Sequence, residues 1–94
     1  MATVEIDYIT TSKTLDVNYS VFLLDASGGS ITSTLPLIST DGVSCKIKRV
    51  DSSLLTSATV VPTSPNTIVG GNITTVLSGS YNLVSYGSNW YNIS

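Results

Sequence analysis

Residues 52–94 contain no Asp, Glu, Lys or Arg, yet short apolar runs recur through them between Ser, Thr, Asn and Gly at a strand-like spacing. A stretch that keeps its polarity in hydroxyls and amides suits β-sheet, where such groups cover a solvated face. It also allows copies of a chain to pack together without stranding charge in a low-dielectric contact. Charged residues make up only 11% of the sequence, which disfavours a salt-bridged helical bundle and disorder by self-repulsion, and the 41% apolar share is too high for a disordered tail. Ser and Thr account for 29 of the 94 residues, and Val, Ile, Leu and Tyr carry most of the apolar content, a bias towards pleated, half-buried surface.

With 94 residues the chain makes one small domain that buries roughly two-thirds or less of the surface its unfolded form exposes. The formal net charge of −2 gives no long-range attraction to phosphate backbones or anionic lipid, so neither nucleic-acid binding nor membrane insertion is expected. The N-terminus lacks the basic start and apolar core of a signal peptide, so synthesis in a cytosol is expected.

The apolar phase predicts the strands. Val4, Ile6 and Tyr8 alternate with Glu5 and Asp7, which reads as a strand with the acids on its solvated face. The run from Val17 to Leu24 reads as a central strand, followed by a turn over Asp25-Ala26-Ser27-Gly28-Gly29-Ser30 and a strand from Ile31 that stops at Pro36. After Asp41-Gly42, the residues Val43, Cys45 and Ile47 face one side and Ser44, Lys46 and Lys48 the other, with Arg49 keeping the inward phase. Ala58 to Val61, Thr67 to Val69, Ile73 to Leu77, Tyr81 to Tyr86 and Trp90 to Ile93 complete the set, with a hairpin-like turn at Gly70-Gly71-Asn72. Eight or nine short strands with frequent turns predict an all-β fold, an antiparallel β-sandwich or jelly-roll-like domain. The Thr32-Ser33-Thr34 run and Thr74-Thr75 do not recur at a constant spacing, so no solenoid is predicted.

Candidate chemistry is sparse. The chain has no His and no Gly-x-Ser-x-Gly elbow, so nucleophilic catalysis lacks its base and the protein is not expected to be an enzyme. Asp25, Asp41 and Asp51 each sit beside small turn residues and read as caps of their own backbone. Lys46, Lys48 and Arg49 form the sole basic cluster, read as a solvated strand face, and Cys45 reads as a buried small hydrophobe. Tyr86, Asn89, Trp90 and Tyr91 are the candidate glycan or surface contacts, since aromatics beside amides suit sugar stacking; core or subunit packing is the leading role for these rings.

Read in order, Leu23-Leu24-Asp25-Ala26 with Ile31-Thr32-Ser33-Thr34-Leu35-Pro36, then Gly42-Val43-Ser44-Cys45-Lys46-Ile47-Lys48-Arg49-Val50-Asp51, form a recurrent pattern. Thr59-Val60-Val61-Pro62, Thr67-Ile68-Val69-Gly70-Gly71, Leu77-Ser78-Gly79-Ser80-Tyr81 and Leu83-Val84-Ser85-Tyr86-Gly87-Ser88-Asn89-Trp90-Tyr91 continue it. Residues 17–94 resemble the small β domains of phage tail fibres, head fibres and spikes and of fibre-like proteins from large DNA viruses, with residues 1–16 as an N-terminal strand or attachment segment. The resemblance implies a homotrimeric structural part of a virion, made in the host cytoplasm, with itself, other virion or capsid proteins and host surface glycan as partners. A lectin-like glycan-binding module is the alternative. Where such sequences often place an aspartate before Gly70 and Gly87, this chain has Val69 and Tyr86, so both turns are expected to lack that side-chain cap.

No metal or other cofactor is expected, because the chain has no His, one Cys and no dense carboxylate loop. A chelator is therefore expected to leave the melting temperature unchanged in calorimetry; a fall of several degrees would reveal an ion site.

Overall fold

In β5 (Ser44–Arg49) the alternation is complete: Cys45, Ile47 and Arg49 are buried, while Ser44, Lys46 and Lys48 are exposed. The same alternation organises the whole protein, whose computed structural model describes residues 4–94. Before β5 come β1 (Ile6–Ile9), β2 (Lys13–Thr14), β3 (Val21–Leu24) and β4 (Ile31–Thr34). After it come β6 (Ala58–Val61), β7 (Thr67–Ile68), β8 (Ile73–Thr74), β9 (Ser80–Tyr86) and β10 (Asn89–Asn92). There is no helix among the described residues.

The strands form a six-stranded sheet ordered β1-β3-β5-β9-β10-β7 and a four-stranded sheet ordered β2-β4-β6-β8. From β1 to β6 the chain alternates between the two sheets, and each strand lies parallel to the one laid down a turn earlier: β1 on β3 on β5, and β2 on β4 on β6. The passage through the opposite sheet supplies the crossover that parallel pairing requires. This is a β-solenoid-like arrangement rather than the antiparallel sandwich or jelly roll expected from strand spacing. Its turns are uneven. Ile6 pairs with Val21 and Val21 with Lys46 in the larger sheet; Lys13 pairs with Ser33 and Ile31 with Ala58 in the smaller. Four strands then close the stack, with β8 antiparallel to β6, β9 antiparallel to β5, β10 folding back on β9, and β7 parallel to β10.

One core lies between the sheets. Ile9 and Leu24 stack in register, as do Phe22 and Ile47, and Cys45 faces Leu83. From the smaller sheet come Ile31 beside Ala58, and Val60, while Leu15, Leu35, Ile38, Ile68 and Trp90 fill the space between. Thus β1 and β2 pair with β3 and β4, and Ile9 of β1 and Leu15, which directly follows β2, join the same core.

Three sequence expectations are corrected here. In β1 the phase is reversed: Ile6 and Tyr8 point outward, at 53% and 55% exposure, while Asp7 shares the inner face with Phe22. Asp7 is accommodated because β1 is an edge strand and Lys13 Nζ reaches its Oδ2 at 3.0 Å. At Gly70-Gly71 the glycines take positive φ (98° and 103°) as turn chemistry requires, but the turn does not make a hairpin: β7 joins the larger sheet and β8 the smaller. The strands number ten rather than eight or nine, because the two-residue strand β2 carries too little apolar alternation to be read from the sequence.

Cys45 is 5% exposed, and burial pushes its thiol pKa up to about 12. The thiolate population at neutral pH is then negligible. Thiol titration is expected to show almost no labelling of the native protein and full labelling after denaturation.

Candidate functional site

The aromatic cluster sits on the β9–β10 hairpin. Tyr86 and Asn89 are paired across a two-residue turn, and Gly87 and Ser88 both have φ near +60° (59° and 63°), the left-handed pair that matches the twist of antiparallel strands. Tyr86 does not supply the side-chain cap, but the turn is capped from elsewhere: the Gly87 N–H donates to Asp41 Oδ1 at 2.8 Å. The β4–β5 connection thus takes over a role expected of the preceding residue.

The hairpin divides the four candidate contacts. Trp90 is 1% exposed, lies between Ser85 and Ile68 in register, and packs in the core, so its ring has no open face for a sugar. Its indole Nε1 is buried with no hydrogen-bond partner among the described residues. Tyr86 is exposed at the hairpin end, Asn89 is half-buried beside it and accepts from Thr67 Oγ1 at 2.8 Å, and Tyr91 is half-buried two positions along the same outer face. The structure keeps Tyr86 and Asn89 together and sets Trp90 apart from them on the opposite face of the sheet.

The basic cluster is also divided. Lys46 and Lys48 lie on the outer face, and Lys48 Nζ donates to the Ser78 carbonyl at 3.0 Å, whereas Arg49 points inward and is 3% exposed. Arg49 Nε donates to Asp51 Oδ1 at 2.9 Å and Nη2 to Oδ2 at 3.1 Å, a two-pronged pair. The same Nη2 reaches the carbonyls of Ser53 (3.1 Å) and Thr56 (3.0 Å). Asp51 accepts in addition from the backbone N–H of Ala26 (3.0 Å) and Ser53 (3.1 Å), and Thr56 Oγ1 donates to the Ala26 carbonyl at 2.7 Å. One ion pair therefore ties the β3–β4 and β5–β6 connections. The Arg49 guanidinium, followed by the Ala26 and Ser53 amides, holds the Asp51 carboxyl well below the usual carboxylate range despite its burial.

Sequence reasoning missed this knot by reading Asp51 as a local cap and Arg49 as part of a solvated face. The available signal was Arg49's inward phase, since a guanidinium in a core requires an acid within reach. Asn66 was missed as well. It is 3% exposed and its Nδ2 donates to the carbonyls of Ile38 and Ser88 at 2.8 Å each, joining two connections at the opposite edge.

Among the described residues no three His, Cys, Asp or Glu side chains converge, and no helix is long and apolar enough to cross a membrane. A recess of about 10 Å³ beside Val17, Tyr19, Val43 and Trp90 has room for a single water-sized body, far below the size of a small-molecule site. No protein-family model and no curated protein matches the chain.

Removing the acid from the knot leaves a buried guanidinium uncompensated, so Asp51→Ala is expected to cost about 3–5 kcal/mol in urea unfolding. The folded-state pKa of Asp51 is depressed, so its stabilisation is complete above the unfolded carboxylate value near pH ~4 and is lost as pH falls towards the folded value. Asp51→Asn should accordingly flatten the decline in stability below that pH relative to the parent protein.

Proposed function

We propose that the protein is a structural component of a virus particle, a homotrimeric fibre, spike or capsid-decoration domain. The observation that carries this reading is the ordered set of fibre-like fragments. In the fold they fall on β3 and β4, β5, β6, β7 and the β9–β10 hairpin, so they occupy the framework of the domain rather than a scattered surface. That no three His, Cys, Asp or Glu side chains converge among the described residues is compatible with a structural role.

A particle component has to associate with its own kind and with neighbours through surfaces that form without large desolvation penalties. The uncharged residues 52–94 suit this, because hydroxyl and amide groups lose less on burial than ionised ones. On this reading the partners are copies of the chain and other virion or capsid proteins, and host attachment is an added role at exposed ends such as the hairpin carrying Tyr86 and Asn89. The lectin-like alternative is weakened by the burial of Trp90, which takes away its best stacking ring.

Mass measurement in solution and immunolabelling of purified particles test the two parts of the reading. A trimeric mass and particle-bound label are expected. Particles that contain none of this chain would refute the virion assignment, and a mass other than three copies would refute the trimer.

A further inference from the structure

Leu54 and Leu55 are 86% and 97% exposed, the two most exposed large apolar side chains among the described residues. They stand at the tip of the β5–β6 connection, whose backbone on either side is gripped by Arg49 through the Ser53 and Thr56 carbonyls. The tip is held in place by the same buried ion pair that ties it to Ala26. Beside it runs the β8–β9 connection, anchored by the Thr75 N–H on the Ala58 carbonyl and by the Arg49 N–H on the Gly79 carbonyl, and it carries Val76 at 64% exposure.

Residues 52–57 and 75–79 contain no ionisable side chain. Apart from the buried Arg49–Asp51 pair, the charges that border this edge are one of each sign and both are engaged within the chain: Lys48 on the Ser78 carbonyl, and Asp25, which accepts from Tyr8 Oη at 2.6 Å and from the Ser27 N–H at 2.9 Å. Around a rotation axis each residue near the axis meets its own copies, so an ionised group there faces like charge, whereas an uncharged apolar tip does not. The edge also offers no Lys or Arg on these two connections to draw an anionic membrane, and no charge pattern for an unrelated protein to complement.

From these features we infer that the loop edge is the contact between copies of this chain, with Leu54 and Leu55 as its apolar anchors and Arg49 and Asp51 as positioning residues that hold them out. The inference rests on the self-association part of the proposed function and is independent of its virion part. Because the tip is already fixed in the single subunit, little ordering entropy opposes the contact.

The test is sedimentation analysis of the full chain and of Leu54→Ser/Leu55→Ser, with melting temperature and Cys45 protection as controls for folding. The parent protein is expected to associate, and the double variant to dissociate with a constant raised by about 100-fold or more. Leu55→Glu is a second variant at an almost fully exposed site, and like charges around the axis should dissociate it too; its retention of the parent assembly would overturn the inference even if the double variant failed to fold. Folded variants that assemble as the parent does would overturn this contact while leaving self-association standing. A parent protein that stays monomeric at its highest soluble concentration would overturn the inference, as would a monomer that binds phosphatidylcholine vesicles through the two leucines; particle labelling would then still decide the virion reading separately.

Discussion

A guanidinium buried between two sheets must be neutralised where it lies, and the Arg49–Asp51 pair does so while fixing the connections that the sheets themselves leave free. In a regular solenoid, equal turns stack and each loop is held by the loop before it. Here the turns are unequal, with β1 and β3 offset from Ile6 to Val21 but β3 and β5 from Val21 to Lys46, so stacked loops cannot match residue for residue. The Asp51 carboxylate bridges that mismatch by accepting from Ala26 in one turn and from Arg49 and Ser53 in the next. An apolar pair of similar volume could match its stability, because burying two ions carries a large desolvation penalty. Apolar side chains would not reproduce the directional bonds to four backbone groups, and those bonds are what specify the shape of residues 50–57.

The ends of the stack pose a different problem, since parallel strands at an open end present unpaired backbone to any passing chain. At the β1–β2 end the inner positions are Asp7 and Lys13, joined at 3.0 Å across the gap between the sheets. With the lysine side chain 43% exposed, such a pair adds little stability, and its value lies in placing charge where a further strand would have to bury it. This accounts for the reversed phase of β1. An acid on the inner face is tolerated only at an edge, and Ile6 and Tyr8 are left outside as a consequence.

Period-2 alternation made the strands legible. β4, β5, β6 and β9 fall within a residue of where the apolar phase put them, and Cys45, Ile47 and Arg49 face inward as their spacing indicated. Alternation reports which face a side chain takes and says nothing about which strand lies alongside, so a turn such as Asp25 to Ser30 reads equally well as a hairpin or as a corner between sheets. The solenoid-like path was hidden for the same physical reason that the Arg49 knot is needed: the turns differ in length, and no constant period survives in the sequence. In the candidate site, the Tyr86–Asn89 hairpin was legible from Gly87-Ser88 and core packing, the leading role for the rings, holds for Trp90, whereas the exposure of Tyr86 was not legible, because composition does not say which ring of a hairpin lies on its outer face.

The smaller sheet shows what the register recovers once the uneven turns are set aside. Thr32, Thr59 and Thr74 lie side by side on its outer face, and Thr14, Thr34 and Val61 form the adjacent row. None of these threonine hydroxyls makes a hydrogen bond among the described residues, so the rows keep their hydroxyls on the outside while their methyl groups pack along the pleat, as β-branched residues do on a half-exposed strand. Opposite them, on the inner face of the same strands, Ile31, Ala58 and Val60 are buried. The Ser and Thr richness of the chain is therefore not loop composition. Part of it is the solvated side of a sheet whose apolar side closes the core, and this arrangement lets residues 52–94 dispense with charge and still remain a two-faced structure.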